Sequence, residues 1–247
     1  MKLFILNLSA FFIMVGVNAL ANLIPLNGHT TGEISNKLNV LITPAPYAFM
    51  IWGFIYAMIG IWLVREIPRN KRNSPVYTKT SFLFVLSCLF NACWIIVWHY
   101  EQIALSVIIM IFLFIVLLLL YKKIKFYSRR FFAYFAFSVY FGWISVASLV
   151  NINYYVKHRG WNVFSVSDTI WTIFLLCLTA AFCIYFRIRE RDWLYSLVII
   201  WSFIAIGIKN MEHFPLVAYT AYVLAVGLFI FNFFPSLEKK KGVVHLK

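Results

Sequence analysis

The feature that most constrains this chain is the alternation of long apolar runs with short basic clusters. The apolar runs cover about residues 3–24, 46–64, 80–98, 103–121, 132–156, 168–186, 193–208 and 215–234. Most are close to the roughly 17–25 residues that an α-helix needs to cross a bilayer. Segments of ~10 residues with alternating polarity, typical of a membrane β-barrel, do not occur. The sequence predicts an all-α polytopic membrane helix bundle with about eight transmembrane helices.

The composition excludes an ordinary soluble domain and argues against a nucleic-acid partner. Of the 247 residues, 63% are hydrophobic and 12% are charged, whereas soluble domains are about half apolar and about a quarter charged. The net charge of +14 would suit a nucleic-acid binder, but such proteins spread Lys and Arg over polar folded elements. Here the basic residues lie between membrane-length runs, so the lipid bilayer is the expected partner.

The positions of Lys and Arg predict the topology, because cytoplasmic loops are enriched in them. Eighteen of the 22 basic residues fall at Lys2, in loops 65–79, 122–130 and 187–192, and in the tail at 237–247. The other four, Lys37, Lys157, Arg159 and Lys209, fall in the alternate loops. Eight spans place these two sets on opposite sides. We expect both termini in the cytoplasm and a multi-pass protein of the bacterial cytoplasmic membrane.

The first run has a second interpretation as a cleavable signal peptide. It combines the basic start at Lys2 with an apolar stretch and an Ala19-x-Ala21 ending, which are the marks of such a peptide. Cleavage would leave seven spans and would move only the N-terminus, from the cytoplasm to the outside. We predict a retained helix.

The spans carry no residue pattern that demands catalysis. No acidic or basic residue is clearly placed at mid-membrane, where such groups usually mark ion or proton paths. Glycine-rich phosphate loops and the common hydrolase and zinc motifs do not occur. The cysteines, Cys88, Cys93, Cys177 and Cys183, lie inside apolar runs without C-x-x-C spacing. No catalytic residue and no metal ligand is therefore predicted, and whether the protein is an enzyme is left open.

The histidines of the external loops allow one alternative prediction, a metal site. His29, His99, His158 and His213 fall one per external loop, each with an acidic residue nearby. Imidazole is a versatile metal ligand. Converging loops could make a metal or haem-iron site from these histidines, although loop histidines are more often only solvated.

Aromatic and amide side chains form stripes at helical spacing on three spans, with most of their members in the predicted outer half of the bilayer. Their members are Phe49, Trp52, Gly53, Tyr56 and Gly60; Ser87, Asn91, Trp94 and Trp98; and Tyr140, Trp143, Ala147, Asn151 and Tyr154. Residues three and four apart share a helix face. Such stripes favour either helix packing or a flat ligand cavity. Asn91 and Asn151 need partners from neighbouring helices, water or a ligand.

Three segments together resemble the TspO/MBR family, the tryptophan-rich sensory proteins related to the mitochondrial translocator protein. Thr43-Pro-Ala-Pro-Tyr-Ala-Phe-Met-Ile-Trp52-Gly-Phe-Ile-Tyr56 resembles the proline-rich start of the family's second helix. Leu89-Phe-Asn91-Ala-Cys-Trp94 resembles its Leu-Asn-x-x-Trp pattern. The stretch from Tyr140 to Asn151 resembles Pro-Tyr-x-x-Trp-x-x-x-Ala-x-x-x-Asn, with Ser138 or Val139 where proline is usual. The motifs occur in family order over about residues 1–156.

The resemblance implies a five-helix bundle that holds a flat hydrophobic ligand such as a porphyrin, another tetrapyrrole or a sterol. It divides the chain into that bundle at 1–156, three additional helices at 157–236 and a basic cytoplasmic tail at 237–247. Family members begin with a retained helix, which is why we keep the first span. The implied ligand-binding residues are Phe49, Trp52, Tyr56, Asn91, Trp94, Trp143, Ala147 and Asn151.

The resemblance also assigns roles within this set. Trp52 and Tyr56 would line one wall of the cavity and Trp143 the opposite wall, with Ala147 at a close helix contact. Asn91 and Asn151 would make polar contacts. The loop at 25–44 departs from the family, because it lacks the tryptophan and tyrosine often found before the proline motif.

The function expected from the resemblance is that of a sensor, or receptor, or a carrier for a porphyrin-like hydrophobic small molecule, with no obligatory cofactor. One alternative is a permease for a neutral or lipidic small molecule, and another is an enzyme that degrades porphyrin with light and oxygen. The three additional helices could shield the bundle, mediate assembly or form a second site. Pairing as a homodimer is also left open.

Overall fold

The computed structural model describes residues 2–24, 26–161 and 166–233, and within them it contains helices and no strand. We number the long helices α1 (Lys2–Leu23), α2 (Ile51–Val64), α3 (Ser81–His99), α4 (Ile103–Tyr127), α5 (Phe131–His158), α6 (Asp168–Glu190), α7 (Trp193–Asn210) and α8 (Pro215–Phe233). Shorter helical segments lie in the loops before and after α2: Leu26–Gly28, Thr31–Lys37, Pro46–Met50, Arg69–Arg72 and Pro75–Thr78.

Eight segments of 18 to 28 residues are long and apolar enough to cross a membrane, counting α2 together with the turn before it. They confirm the predicted polytopic bundle. The largest difference in boundaries is at α4, which ends at Tyr127 rather than near residue 121. Lysine is a good helix former, and its long side chain can reach the membrane surface from inside a helix end. The charges that end the apolar run therefore do not end the helix.

The first five helices form a closed ring in the order α1, α2, α5, α4, α3, each packed against its neighbours. The outer side of α5 packs against α7, and α6 and α8 flank α7. The ring is thus covered on one side by a second layer of three helices. The predicted domain boundary near residue 156 stays a prediction.

The central element of the bundle is α5. In its most apolar stretch 72% of the residues are buried, against 22% for α1, because α5 is enclosed by α2, α4 and α7. Its close approach to α7 occurs at Gly142, where an added Cβ would lie 3.0 Å from Cβ of Val198. A helix packed this tightly holds its side chains in place, and it carries the third aromatic stripe.

The loops predicted to lie on the outer side do meet at one end of the bundle. Nζ of Lys157 donates to the carbonyl oxygen of Asn39 at 2.6 Å and to Oδ2 of Asp168 at 2.6 Å. Nζ of Lys209 donates to the carbonyl oxygen of Val40 at 3.5 Å. We call this the outer end, and the opposite end, which carries loops 65–79, 122–130 and 187–192, the basic end. That the basic end faces the cytoplasm stays a prediction.

Candidate functional site

The candidate site begins at the turn that leads into α2. Pro46 opens a 3-10 turn over Pro46–Met50, and α2 follows directly from Ile51. The fixed φ of proline suits the first position of a helix. Phe49 therefore lies on the turn rather than on the helix, yet its ring still contacts Trp143 of α5, with 5.6 Å between the centroids.

The segment before α2 is held from outside the ring by α7. The backbone N–H of Ala45 donates to the carbonyl oxygen of Ala205 at 3.1 Å. Nε1 of Trp201 donates to the carbonyl oxygen of Ala48 at 3.4 Å, and Nδ2 of Asn210 donates to that of Leu41 at 2.9 Å. One of the additional helices thus positions the loop that carries Phe49.

The Asn210→Leu substitution is expected to loosen this loop. Without the amide, the buried carbonyl of Leu41 loses a hydrogen bond worth about 1 kcal/mol, which corresponds to about fivefold faster opening of the local structure. Hydrogen–deuterium exchange of peptides covering 38–48 measures this rate. Asn36→Leu is the control, because among the described residues the Asn36 amide donates only to its own helix at Gly32. Equal exchange in the two variants would contradict the clamp.

Trp52 lies at the centre of an aromatic cluster between α2 and α5. Its ring stacks on Tyr56 at 5.5 Å, and it meets Tyr140 at 5.8 Å and Trp143 at 6.4 Å with steep interplanar angles of 68° and 86°. Edge-to-face pairs at these distances are favourable. Trp52 and Trp143 therefore do face one another, as the resemblance implies, but they are in contact rather than separated by a flat ligand space.

A polar chain crosses the ring beside this cluster and links α1, α3 and α5. Nδ2 of Asn18 donates to Oδ1 of Asn91 at 2.7 Å, and Nδ2 of Asn91 donates to the hydroxyl of Tyr140 at 2.9 Å. All three side chains are buried. The partners of Asn91 therefore come from neighbouring helices, which satisfies its amide within the apolar interior.

A second amide links α3, α4 and α5 closer to the outer end. Oδ1 of Asn151 accepts from Nε1 of Trp94 at 3.3 Å, and its Nδ2 donates to the hydroxyl of Ser106 at 2.9 Å. Trp94 in turn stacks on Trp98 at 5.8 Å. Protein groups thus already occupy the polar atoms of both asparagines that the resemblance assigned to a ligand.

Between these groups lies a small cavity of about 20 Å³, which we call the closed cavity because most of the side chains around it are buried. Its lining combines the aromatic stripes with residues of the outer loop: Ser35, Pro44, Phe49, Trp52, Trp94, Trp98, Trp143, Val146, Ala147, Val150 and Asn151. A single water needs roughly 10–15 Å³ of this kind of space, whereas small-molecule sites measure about 300–1,000 Å³. In this conformation the cavity has room for about one water molecule and none for a macrocycle.

An open groove of about 290 Å³ lies on the other side of Phe49 and Trp52, between α1 and α2. Asn18, Asn22 and Thr31 supply polar atoms to a lining that is otherwise mostly apolar. Phe49 and Trp52 line both spaces. These two side chains therefore form the partition between a closed cavity and a groove of nearly ligand size.

Two buried donors of the cluster lack partners. The hydroxyl of Tyr56 and Nε1 of Trp143 make no hydrogen bond with any residue that the structure describes. Buried polar atoms without a partner are rare and costly. Tyr56 lines the open groove and Trp143 the closed cavity, but both donor atoms are themselves buried, so a water or a ligand would reach them only after neighbouring side chains move.

The outer loop covers the site in place of the missing aromatic residues. The helix Thr31–Lys37 is capped by Thr30 and Glu33, whose side chain and backbone exchange hydrogen bonds. These bonds hold the pKa of the Glu33 carboxyl below its usual value. Nε1 of Trp98 donates to the carbonyl oxygen of Thr31 at 3.5 Å. The loop is thus a folded cover tied to α3.

The structure brings the predicted site residues close together, although they do not all line the same space. Six of the eight line the closed cavity: Phe49, Trp52, Trp94, Trp143, Ala147 and Asn151. Tyr56 lines the groove, and Asn91 lies behind the cluster in the polar chain. The sequence reasoning did not single out Asn18, although an amide within an apolar first span was the signal that could have found it.

The outer-loop histidines do not assemble a metal centre in the part of the chain that the structure describes, since no group of three His, Cys, Asp or Glu side chains there could hold an ion. His99 is instead a buried structural residue. Its Nδ1 lies 3.2 Å from the carbonyl oxygen of Leu26 and its Nε2 3.0 Å from the hydroxyl of Thr31. Because a carbonyl oxygen only accepts, Nδ1 carries a proton.

Comparison with known proteins supports the resemblance seen in the motifs. The model of a family described as TSPO-like protein matches residues 4–234. Searches of curated proteins and of solved structures gave no match. The family match continues past the fifth helix and includes the three helices of the second layer. This chain therefore belongs to the TSPO-like protein family.

Proposed function

We propose that this protein binds a flat hydrophobic ligand of the porphyrin or tetrapyrrole class inside its five-helix ring and acts as a sensor or carrier. The bacterial cytoplasmic membrane is its proposed location. The observation that carries the proposal is the partition formed by Phe49 and Trp52, which line both the closed cavity and the open groove. Rotation of these two side chains would join the spaces into one site.

The chemistry of the joined space suits a planar aromatic macrocycle. Trp52, Trp143 and Phe49 would offer ring faces, and aromatic pairs add about 0.5–1.5 kcal/mol each beyond the burial of their area. The unpaired donors on Tyr56 and Trp143 would pair with polar atoms of the ligand. Membership of the TSPO-like family supports the same class of ligand.

If the ligand binds only when the partition is open, the need to open it lowers the measured affinity. If the joined site is populated only in a fraction of molecules, the measured dissociation constant rises by the inverse of that fraction. The ligand must therefore recover the contacts between Trp52 and Trp143 that it breaks. This role of the partition explains why the resting structure has no space for the proposed ligand.

The substitutions Trp52→Ala and Trp143→Ala are each expected to weaken protoporphyrin binding about fivefold, because each removes a stacking partner worth about 1 kcal/mol. The readout is the shift of the porphyrin Soret absorption band during titration of detergent-solubilised protein. This signal does not depend on how many tryptophans remain.

Trp161→Ala is the matched control, because this tryptophan is 61% exposed at the outer end and lies outside both spaces. It should bind as the wild type does. Affinity that is unchanged in both cluster variants would refute the site. Transfer of bound porphyrin between vesicles would favour a carrier over a sensor, and loss of its spectrum under light and oxygen would indicate the degrading enzyme instead.

A further inference from the structure

A cleft of about 520 Å³ opens at the basic end, between the C-terminal ends of α4 and α6. Its charged lining consists of five cations and one carboxylate: Lys122, Lys125, Arg129, Arg189, Arg191 and Glu190. Within the described residues Glu190 forms an ion pair with Lys125, at 3.7 Å, and the other four cations are exposed and have no such pair. The cleft therefore carries an excess of positive charge that suits a phosphate group.

The backbone at Arg191 gives a second reason to regard the cleft as a binding feature. Arg191 ends α6 in the left-handed conformation, with φ 51° and ψ 42°. Glycine is the usual residue there, since a Cβ crowds the backbone in this region. An arginine that accepts this strain while its side chain lines the cleft is consistent with a use for its charge.

An apolar groove of about 400 Å³ lies in the same seam between α4 and α6, deeper in the membrane-spanning region. Ile111 and Phe114 of α4 and Leu178 and Phe182 of α6 form its sides. Ile111 and Leu178 are 44% and 52% exposed. Because these residues belong to membrane spans, the groove is open to lipid chains.

The cleft and the groove lie on the same faces of both helices. On α4, Ile111, Phe114 and Lys122 recur at i, i+3 and i+11, and on α6 Phe182 and Arg189 are seven residues apart, so each set lies on one helix face. At 1.5 Å per residue, Phe114 and Lys122 are separated by about 12 Å along the helix axis. Half of the ~30 Å hydrocarbon core is about 15 Å, so one phospholipid molecule can occupy both spaces.

We propose that an anionic phospholipid of the leaflet at the basic end binds in this seam between the five-helix ring and the second layer. Its phosphate lies in the cleft among Lys122, Arg129 and Arg189, and one acyl chain lies in the groove between Phe114 and Leu178. The second layer thus forms, with the ring, a lipid site separate from the aromatic cluster. Basic pockets between helices at a membrane surface recognise anionic headgroups in this manner.

Native mass spectrometry of the full chain, released from detergent with equal amounts of phosphatidylglycerol and phosphatidylcholine of matched chains, tests the headgroup. The wild type should retain one phosphatidylglycerol in preference to phosphatidylcholine. The double substitution Arg129→Gln with Arg189→Gln should lower that preference about 25-fold, since each interfacial basic residue contributes about fivefold. Lys71→Gln with Lys79→Gln, two exposed basic-end residues outside the cleft, is the control and should retain the preference.

The groove is tested by Leu178→Trp, which fills it from α6, against Val223→Trp at a lipid-facing position of α8 that is 71% exposed. Only Leu178→Trp should reduce lipid retention. Equal retention of the two lipids by the wild type would overturn the proposal, as would an unchanged preference in the double glutamine variant. Loss of the bound lipid to excess inorganic phosphate, with no effect of Leu178→Trp, would indicate a free-phosphate site and would also overturn it.

Discussion

Replacing Asp192 with alanine is expected to lower the free energy of unfolding by about 2–4 kcal/mol. The carboxylate is fully buried at the turn between α6 and α7. Its Oδ1 accepts the backbone N–H of Leu194 at 3.0 Å and caps α7, and its Oδ2 accepts the hydroxyl of Tyr121 at 2.5 Å. Alanine removes the cap and leaves the buried hydroxyl of Tyr121 without its acceptor. Thermal unfolding in detergent measures the loss.

Two further variants separate the role of this carboxylate from the general effect of losing a negative charge. Asp168→Ala removes an acid that is 65% exposed and paired with Lys157, and surface pairs contribute about 0–1 kcal/mol. Asp192→Asn keeps an oxygen for the cap and should be destabilised less than Asp192→Ala. If Asp192→Ala and Asp168→Ala unfold alike, the buried carboxylate does not hold the second layer to α4.

The number of spans could be predicted because it depends on the length and composition of the apolar runs, which are local properties of the sequence. Which helix would be central could not be predicted. Inside lipid a helix can be apolar on all sides, so its periodicity does not reveal which faces are covered. The burial of α5 follows from its contacts with α2, α4 and α7, which are set by the tertiary arrangement.

Which residues form the aromatic cluster was predictable, but the distances between their rings were not. The resemblance carried by the three motifs brings Phe49, Trp52 and Trp143 together, and in the structure their rings are in contact; that they bind a ligand stays a prediction. Whether Trp52 and Trp143 enclose a ligand space or touch, at 6.4 Å, depends on side-chain rotamers and on shifts of about an ångström between helices. A sequence does not encode such distances in any local pattern.

The role of the second layer also lay beyond sequence reasoning. The contacts of α7 with the segment before α2 join residues far apart in the chain, such as Asn210 and Leu41. Each partner alone is an unremarkable amide or backbone carbonyl. Their pairing is visible only when the fold brings the outer end of α7 against the loop, and it makes α7 part of the support of the aromatic cluster.

The substitution Asn91→Leu is expected to lower the free energy of unfolding by about 2–3 kcal/mol. It removes the hydrogen bonds with Asn18 and Tyr140, and such bonds between membrane helices are worth about 0.6 kcal/mol each on average. The larger cost is the hydroxyl oxygen of Tyr140, which is buried and loses its donor at about 1–3 kcal/mol, while its O–H keeps only the weak sulfur acceptor of Met14 at 4.0 Å. Asn22→Leu is the control, because the Asn22 amide, within the part of the chain that the structure describes, donates only to its own helix at Asn18.

Adding Tyr140→Phe to Asn91→Leu should recover about 1 kcal/mol of the loss, because the double variant no longer buries a hydroxyl oxygen that has lost its donor. Tyr140→Phe alone should destabilise, since it leaves an amide donor of Asn91 without its acceptor. Tyr140→Phe should therefore destabilise the wild type and stabilise the Asn91→Leu variant. These opposite signs are expected only if the hydrogen bond between α3 and α5 itself contributes to stability. If Tyr140→Phe costs the same with and without Asn91, the two side chains stabilise the ring through packing, and the polar chain is incidental.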